Sequence, residues 1–583
     1  MDNQNLDHLR HSAAHLLAAA VTELWPEAKL TLGPPIEDGF YYDIDFGDVK
    51  ISEADLPAIE TKMHQIAPGW KGFASQELSP SEARKKFAGN PYKLELVEEI
   101  ISKKEPITLY TSGNFSDLCR GGHIDLAQEP LNHFKLLSVA GAYWRGSEKN
   151  PMLTRIYGTV WPTEKELADY LARQEEAKTR DHRLIGKNLN LFVFSDVIGK
   201  GLPLLTPKGA TIRRELERYV VDEELKHGYQ PVVTPHLAKT DLYKTSGHFP
   251  YYKDTMYPVM KVDEEELILR PMTCPHHFMI FKSQTRSYKE LPIKYAELAS
   301  QFRYEKSGEL TGLMRVRTFT LTDAHIFCSP EQAKSVISDV LDLIQDTNSV
   351  LGLKKGEDYR YRLSLGDRGD SKKYYKDDVS WEFAENVLRK ILTDRHEPFF
   401  EAQNEAAFYG PKIDVQVKKV NGHEETAFTV QYDFVMPSRF ELHYTGEDGQ
   451  LHRPIVIHHS VIGAFERTMA FLIEKFGGAF PAWLSPVQVI VLPITEKHSE
   501  YAADVLSQLK SAGIRAELDD RNQPLSARIR DAEMQKIPYI LAVGDKEIAG
   551  NSVSVRERGR KAQSVKPVSE FIAEVKHVII NRS

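Results

Sequence analysis

The stretch FRYEKSGELTGLMRVRTF, residues 302–319, decides how the middle of this chain is read. It places Arg303 and Glu305 on one strand and Arg315 on the next, across a polar loop that contains glycine. Downstream, GAFERTMAFLIEKF (463–476) puts Gly463 and Arg467 at the start of an amphipathic helix, where an anion would be welcome. Taken singly, an arginine is more often part of a solvated face. Between these two strings, KIDVQVKKV (412–420) leads through Asn421-Gly422 into the strand TAFTVQYDFVM (426–436). An Asn-Gly between alternating strands is a strong hairpin signal, so the middle of the chain contains antiparallel sheet.

Working outward, LDHLRHSAAHLLAAAVTELW (6–25) carries Leu and Ala at helical spacing, and GFYYDIDF (39–46) reads as a strand. From Thr163 to Lys187 a mixed-charge stretch with a thin apolar stripe reads as one connecting helix, within which a domain boundary falls. From about residue 484 the pattern changes. Strand VQVIVLPIT, helix SEYAADVLSQLKSAG, strand IRAEL, helix SARIRDAEMQK and strand YILAVG alternate as parallel α/β units do. No internal repeat or low-complexity tract is present.

The chain has 583 residues, enough for about three or four domains at roughly 150 residues each. Hydrophobic residues at 41% and charged residues at 27% describe an ordinary globular protein and exclude a disordered or fibrous one. No run approaches the roughly 18 consecutive apolar residues of a membrane span, and MDNQNLDHLR lacks the regions of a signal peptide, so a cytoplasmic location is expected. Three Cys cannot build a disulfide framework and fit a reduced compartment. The net charge of -8 argues against nucleic acid as a partner. The last hundred residues, with 15 basic and 13 acidic side chains, are the least repelled by phosphate.

Two Cys/His groups carry candidate chemistry. His11 and His15, four apart on the first helix with His8 on the same side, share a face, and DLCRGGH supplies Cys119 and His123 at the same offset. The residues alone leave a zinc site and a metal-free hydrolytic pocket both open. In the middle of the chain stand Cys274, His325 and His458, separated by 51 and 133 residues. Such gaps are unlike a structural finger, although three N/S ligands are what a catalytic zinc with an open position uses. His276, His277 and His459 read as adjacent decoys.

In this order the strings resemble the class II aminoacyl-tRNA synthetases. F-R-x-E, a loop, then R-x-R-x-F is similar to their motif 2, and G-A-F-E-R to motif 3. GATIRRELERYVVDEELKHGYQPVVTP, ending at Pro235, is similar to motif 1, which in that class lies at a dimer interface. Within the class the resemblance is to the threonyl-tRNA synthetases and spans essentially the whole chain. HSAAH, GFYYDID, CRGGH and GAYWRG resemble that family's editing domain, and RPMTCP, DAHIFC, AFYGPK and VIHHS its active site. The tail resembles its anticodon-binding domain.

The resemblance implies an α+β multidomain protein, with an antiparallel-sheet catalytic core flanked by α/β editing and anticodon-binding domains. It implies an editing domain over 1–161, a linker helix over 162–182, a catalytic domain over 183–483 and an anticodon-binding domain over 484–583. The implied reaction joins L-threonine to tRNA(Thr) through threonyl-adenylate, with Mg2+ accompanying ATP and a homodimer as the working form. Arg303 matches the residue holding the α-phosphate and the threonine carboxylate, Arg315 and Arg467 those on the remaining phosphates, and Phe319 the platform under adenine. Glu305 and Gln431 match nucleotide-contacting positions, Tyr409 and Lys412 the amino-acid pocket, and His248 the candidate general base for transfer.

Cys274, His325 and His458 fall on the family's ligand positions for one zinc per subunit, with Asp323 accepting the substrate hydroxyl's hydrogen bond. A metal bound by amino group and hydroxyl rejects valine. Serine keeps the hydroxyl and lacks one methyl, worth only about 1–3 kcal/mol, so hydrolytic editing of mischarged Ser-tRNA(Thr) is required. His11, His15, Lys93, Asp117, Cys119 and His123 match editing positions, and Asn522, Arg530, Lys536, Glu547 and Arg556 anticodon-contacting ones. Some positions depart from the family pattern. Leu321 stands where a glutamine is usual, Thr273 and His276 flank Cys274 and Pro275 in place of Asn and Gly, and Lys536 replaces an arginine, losing its bidentate fork. The family's further small N-terminal domain has no room before His11. Two other readings are a nonenzymatic tRNA-binding paralogue and a zinc hydrolase working wholly through the N-terminal site. Intact Arg303, Arg315 and Arg467 argue against both.

Overall fold

The computed structural model describes residues 3–126, 131–251, 253–560 and 562–582. Two compact units divide the chain at residues 175 and 176.

In the first unit the helix Asn3–Leu24 buries Leu9, Ala13, Leu16, Leu17 and Ala20 against Phe40, Tyr42, Ile44 and Ile156 of an antiparallel sheet. Small alanines let the helix lie close to the sheet, and Leu at helical spacing fills the gaps. The sheet orders Lys29–Leu30, Gly39–Asp45, Met152–Val160 and Phe134–Tyr143, with Pro35–Ile36 also on Gly39–Asp45. A second antiparallel sheet joins Ala74–Leu78, Ile107–Ser112 and Phe115–Leu118.

The second unit is built on an eight-stranded sheet ordered Gln230–Pro231, Ile293–Phe302, Thr318–Cys328, Ile455–His459, Glu424–Asp433, Lys412–Lys418, Tyr359–Ser364 and Phe399–Ala402. All pairings are antiparallel except the outermost at each edge. The Asn421-Gly422 hairpin forms as expected, joining Lys412–Lys418 to Glu424–Asp433. Strand alternation divides the chemistry of Thr318–Cys328 between two faces. Ala324, Ile326 and Cys328 point into a core shared with the helices Pro207–Lys226, Ala333–Val350, Asp378–Asp394 and Phe465–Phe476. Phe319, Leu321 and Asp323 line the opposite face.

Two readings of the sequence need correction, and a third is extended. The stretch Thr163–Lys187 is two helices, Glu164–Thr179 and His182–Asn188, because Asp181 accepts the Arg183 N–H and caps the second. Arg303 and Glu305 lie past the end of Ile293–Phe302, and Arg315 before Thr318, so all three belong to the loop and only Phe319 is on a strand. The C-terminal sheet is mixed. Ala516–Leu518, Val489–Pro493 and Tyr539–Val543 are parallel, but Ser552–Glu557 and Gln563–Pro567 continue it antiparallel.

Candidate functional site

The site-bearing face of the large sheet opens into a cleft of about 690 Å3. It is lined by His248, Cys274, Gln301, Arg303, Glu305, Arg315, Phe319, Leu321, Asp323, Tyr409, Lys412, Gln431, His458 and Arg467. Every middle-domain site residue expected from the sequence except His325 is therefore on its wall, and His325 lies fully buried behind it. Arg303 stands over the Phe319 ring at 5.1 Å, so the cation and the aromatic platform are adjacent. Arg315 reaches Glu305 at 2.7 Å and Glu309 at 3.5 Å, and Arg467 lies 3.2 Å from the Thr426 carbonyl. Gly463, at φ 70°, passes so close to the opposite strand that a Cβ would stand 2.3 Å from the Ala427 carbonyl oxygen. Only glycine allows the helix carrying Arg467 to start there.

Deeper in the cleft, Tyr409 donates to Gln431 at 2.5 Å and stacks on His458 with centroids 5.0 Å apart. Lys412 pairs with Asp414 at 3.1 Å. His248 is buried with Nδ1 2.7 Å from the Ser246 hydroxyl, and burial brings it down to about 3. It is therefore neutral at physiological pH, the state a proton acceptor requires.

Cys274, His325 and His458 each direct one donor atom into a common space, all within 4.8 Å of one another and all buried. Cys274 opens the helix Cys274–Lys282, while the two histidines face each other across paired strands. His325 Nε2 and His458 Nδ1 are buried with no hydrogen-bond partner, and Asp323, at 3.8 Å from His325, is too far to supply one. Two inward nitrogens without partners beside a thiol fit a zinc ion, whose ligands are sulfur and nitrogen. Burial pushes the Cys274 thiol well up and holds His325 well down. It also raises Asp323.

His276, His277 and His459 stay outside this donor set, as the spacing suggested. His277 and His459 are nonetheless engaged, the first with His325 and Glu297, the second with the Tyr229 hydroxyl at 2.7 Å. Gln301 was missed by the sequence reading. Its amide donates to Asp323 at 3.1 Å and to Thr273 at 3.3 Å, and its signal in the sequence is that it precedes Arg303 by two, near the end of the strand Ile293–Phe302.

In the first unit, His11, His15, Cys119 and His123 also converge within 4.8 Å. Here the donors satisfy one another. His11 Nε2 lies 3.1 Å from His15 Nε2, and Cys119 Sγ lies 3.2 Å from His11 and 3.4 Å from His123. Burial depresses all three rings, taking His123 to about 2, and raises Cys119 to about 11, so the group is neutral imidazoles and a thiol rather than a thiolate. Beside it Lys93 and Asp117 form a buried ion pair at 2.7 Å, which Tyr42 joins with a hydrogen bond at 2.5 Å to Asp117.

The anticodon candidates are spread over the C-terminal sheet and its helices. Arg530 and Lys536 are exposed along and just after Leu525–Met534, and Asn522 is exposed in the loop before that helix. Arg556 pairs with Glu533 at 2.8 Å. Glu547 accepts the Gly544 N–H at 3.0 Å, capping its own helix.

Residues 257–476 match the family "tRNA synthetase class II core domain (G, H, P, S and T)", and residues 488–577 match "Anticodon binding domain". Residues 107–157 match "Threonyl and Alanyl tRNA synthetase second additional domain". A threonine–tRNA ligase of an Exiguobacterium species is 50% identical over 99% of this chain and 89% of its own length, and one from Streptococcus suis is 49% identical over the same shares. The chain belongs to the threonyl-tRNA synthetase family. Among solved structures, the RNA binding domain of threonyl-tRNA synthetase from Cryptosporidium parvum aligns with TM-score 0.65 at 34% identity, covering 68% of this chain and 98% of that one. A putative threonyl-tRNA synthetase from Aeropyrum pernix aligns at 0.62 and 26%, over 70% and 97%. Within the family, the Leu321 departure falls on the wall of the cleft that holds the arginines and the Cys/His donors.

Proposed function

We propose that this member of the threonyl-tRNA synthetase family attaches L-threonine to tRNA(Thr) through threonyl-adenylate and hydrolyses mischarged Ser-tRNA(Thr) at its N-terminal site. The observation that carries this reading is the single cleft in which Arg303, Arg315 and Arg467 meet the donors Cys274 and His458. Adenylate formation needs charge neutralisation and positioning more than covalent help. Arg303, beside Phe319 and Gln301, is placed to hold the reacting phosphate over a stacked adenine, and Arg315 and Arg467 the outer phosphates with their Mg2+. Tyr409, Gln301 and Asp323 surround the amino-acid end, and His248 serves as proton acceptor for transfer. Neither a nonenzymatic paralogue nor an N-terminal hydrolase needs this arginine set.

Cys274, His325 and His458 would hold one zinc per chain, which when bound supplies a coordination position that a hydroxyl fills and a methyl cannot. The N-terminal donors converge as closely as those of the middle set, but only the middle set has the open three-ligand form of a catalytic zinc, so the N-terminal group is read as acting without metal. Metal analysis should give one zinc per chain, lost in Cys274→Ala. Two per chain, the second removed by Cys119→Ala, would overturn the metal-free assignment. Threonine-dependent ATP–pyrophosphate exchange tests the activity itself, and its absence in the zinc-loaded protein would reject the ligase reading.

The domain layout 1–161, 162–182, 183–483 and 484–583 draws support from a unit boundary at residues 175 and 176 and a family match beginning at 488. The dimer draws support from exposed apolar residues near motif 1. Among the described residues no helix is long and apolar enough to cross a membrane, and a cytoplasmic site of action suits a partner that is tRNA.

A further inference from the structure

His277 lies one turn after Cys274 and is fully buried. Its Nδ1 is 2.8 Å from His325 Nδ1, and its Nε2 is 3.2 Å from a Glu297 carboxylate oxygen. That carboxylate is fixed on both oxygens. Thr234 donates its hydroxyl to one at 2.7 Å, and the wholly buried Arg270 reaches the other at 3.1 Å. Arg270 is in turn anchored on the Ser300 carbonyl at 2.6 Å and on the Thr234 hydroxyl at 2.6 Å. Burial opposes the charge on Glu297, yet the hydrogen bonds from His277 and Thr234 and the nearby Arg270 bring its carboxyl down to about 2. It can therefore only accept.

The proton positions follow link by link. An ionised Glu297 requires N–H at His277 Nε2, and because a His325 that gives its Nε2 lone pair to a metal carries its proton on Nδ1, His277 Nδ1 is the atom placed to accept that proton's hydrogen bond. The two Nδ1 atoms lie 2.8 Å apart, so one hydrogen bond joins the rings, with His325 Nδ1–H as its donor in the metal-ready form. His325 is left with its lone pair on Nε2, the buried nitrogen that has no hydrogen-bond partner and shares the space of Cys274 and His458. His458 reaches a complementary state by a shorter route. Its Nε2 lies 2.8 Å from the buried Asp433 carboxylate, which leaves Nδ1 facing inward.

We propose that Glu297 and His277 are positioning residues, a relay that locks His325 in its Nδ1–H tautomer so that Nε2 is presented to the metal. This rests on the zinc reading of the Cys274, His325 and His458 set. Outer partners of metal-bound histidines typically carry about 10–100-fold in metal affinity.

The test is chelator competition for zinc on the purified full-length protein, with thermal melting to establish that each variant is folded. His277→Phe keeps ring volume and has no acceptor, so it should hold zinc about 10–100-fold more weakly than the parent. His277→Asn places an oxygen where Nδ1 was and should recover most of that loss, which a merely space-filling role would not predict. Should His277→Phe fail to fold, His277→Asn is compared with His277→Gln, whose oxygen reaches the Nε2 position instead, and the Asn variant should retain zinc better. Equal zinc affinity for parent and folded His277→Phe, or for Asn and Gln variants, overturns the relay. A parent protein that contains no stoichiometric zinc is a different outcome, because it removes the zinc reading itself.

Discussion

Leu321 replaces an expected amide on the cleft wall, and Gln301 lines the same cleft. Gln301 is on the adjacent strand, with Gln301 paired to Phe319 and Leu321 to Ala299, so its amide enters the same space from the neighbouring strand. A lost hydrogen bond to a charged group is worth roughly 1.5–3 kcal/mol, and Gln301 offsets part of that. Leu321→Gln is therefore expected to lower the threonine KM in pyrophosphate exchange modestly, with the threonine-to-valine ratio little changed, since valine rejection depends on Asp323 and the metal. A raised KM would mean the pocket has packed around leucine. At the N-terminal site, His11→Ala with His15→Ala should leave threonylation near normal while Ser-tRNA accumulates, and deacylation at the parental rate would show that site misread. The ligand residues are picked out by the family resemblance rather than by spacing, because gaps of 51 and 133 residues separate them and 21 His leave many candidates. Gln301, His277 and Tyr42 could not be read from the sequence, because a buried amide, a second imidazole or a phenol acquires its role only from partners far away in sequence.

At the scale of elements, the errors of the sequence reading share one cause. Arg303 and Arg315 look like strand residues because alternation continues past Phe302, but the ladder ends at Phe302 and Thr318, and past one last bond from Arg303 N–H to the Arg317 carbonyl the backbone donors turn to Thr255 and Gly201. The single helix expected over Thr163–Lys187 breaks because a side-chain cap at Asp181 competes with the helix ladder. That break creates a joint. His182, buried just after it, lies 2.7 Å from Glu474 at the end of the helix Phe465–Phe476, and its Nε2 accepts the Leu313 N–H at 3.1 Å. One imidazole thereby ties the loop carrying Arg315 to the helix carrying Arg467. His182→Ala should loosen that loop and raise the ATP KM severalfold, with zinc content unchanged. An unaltered ATP KM would show that the loop is held by its other contacts, such as the Arg317 N–H on the Gly201 carbonyl at 2.9 Å.

For the whole molecule, assembly and pH response meet at the end of the helix Pro207–Lys226. Leu225 is 52% exposed and Val233 93%, at the rim of a cavity of about 300 Å3 whose wall includes Glu224 and Glu297. Apolar side chains so placed on the segment that resembles motif 1 are expected to meet a second copy, so Val233→Asp should convert dimer to monomer in sedimentation. Glu224 is buried there with one oxygen lacking any partner, and burial, followed by repulsion from Asp323, raises it from 4.5 to about 8. A carboxyl raised in the folded state binds more protons folded than unfolded, so its contribution is fully present below about pH 4.5 and lost as pH rises through about 8. Each pKa unit corresponds to about 1.4 kcal/mol, and glutamine keeps the neutral shape at every pH. Glu224→Gln should accordingly melt with the parent near about pH 5 and above it near about pH 9. A melting difference independent of pH would mean that water or a partner side chain already pairs with the carboxylate in the assembled protein.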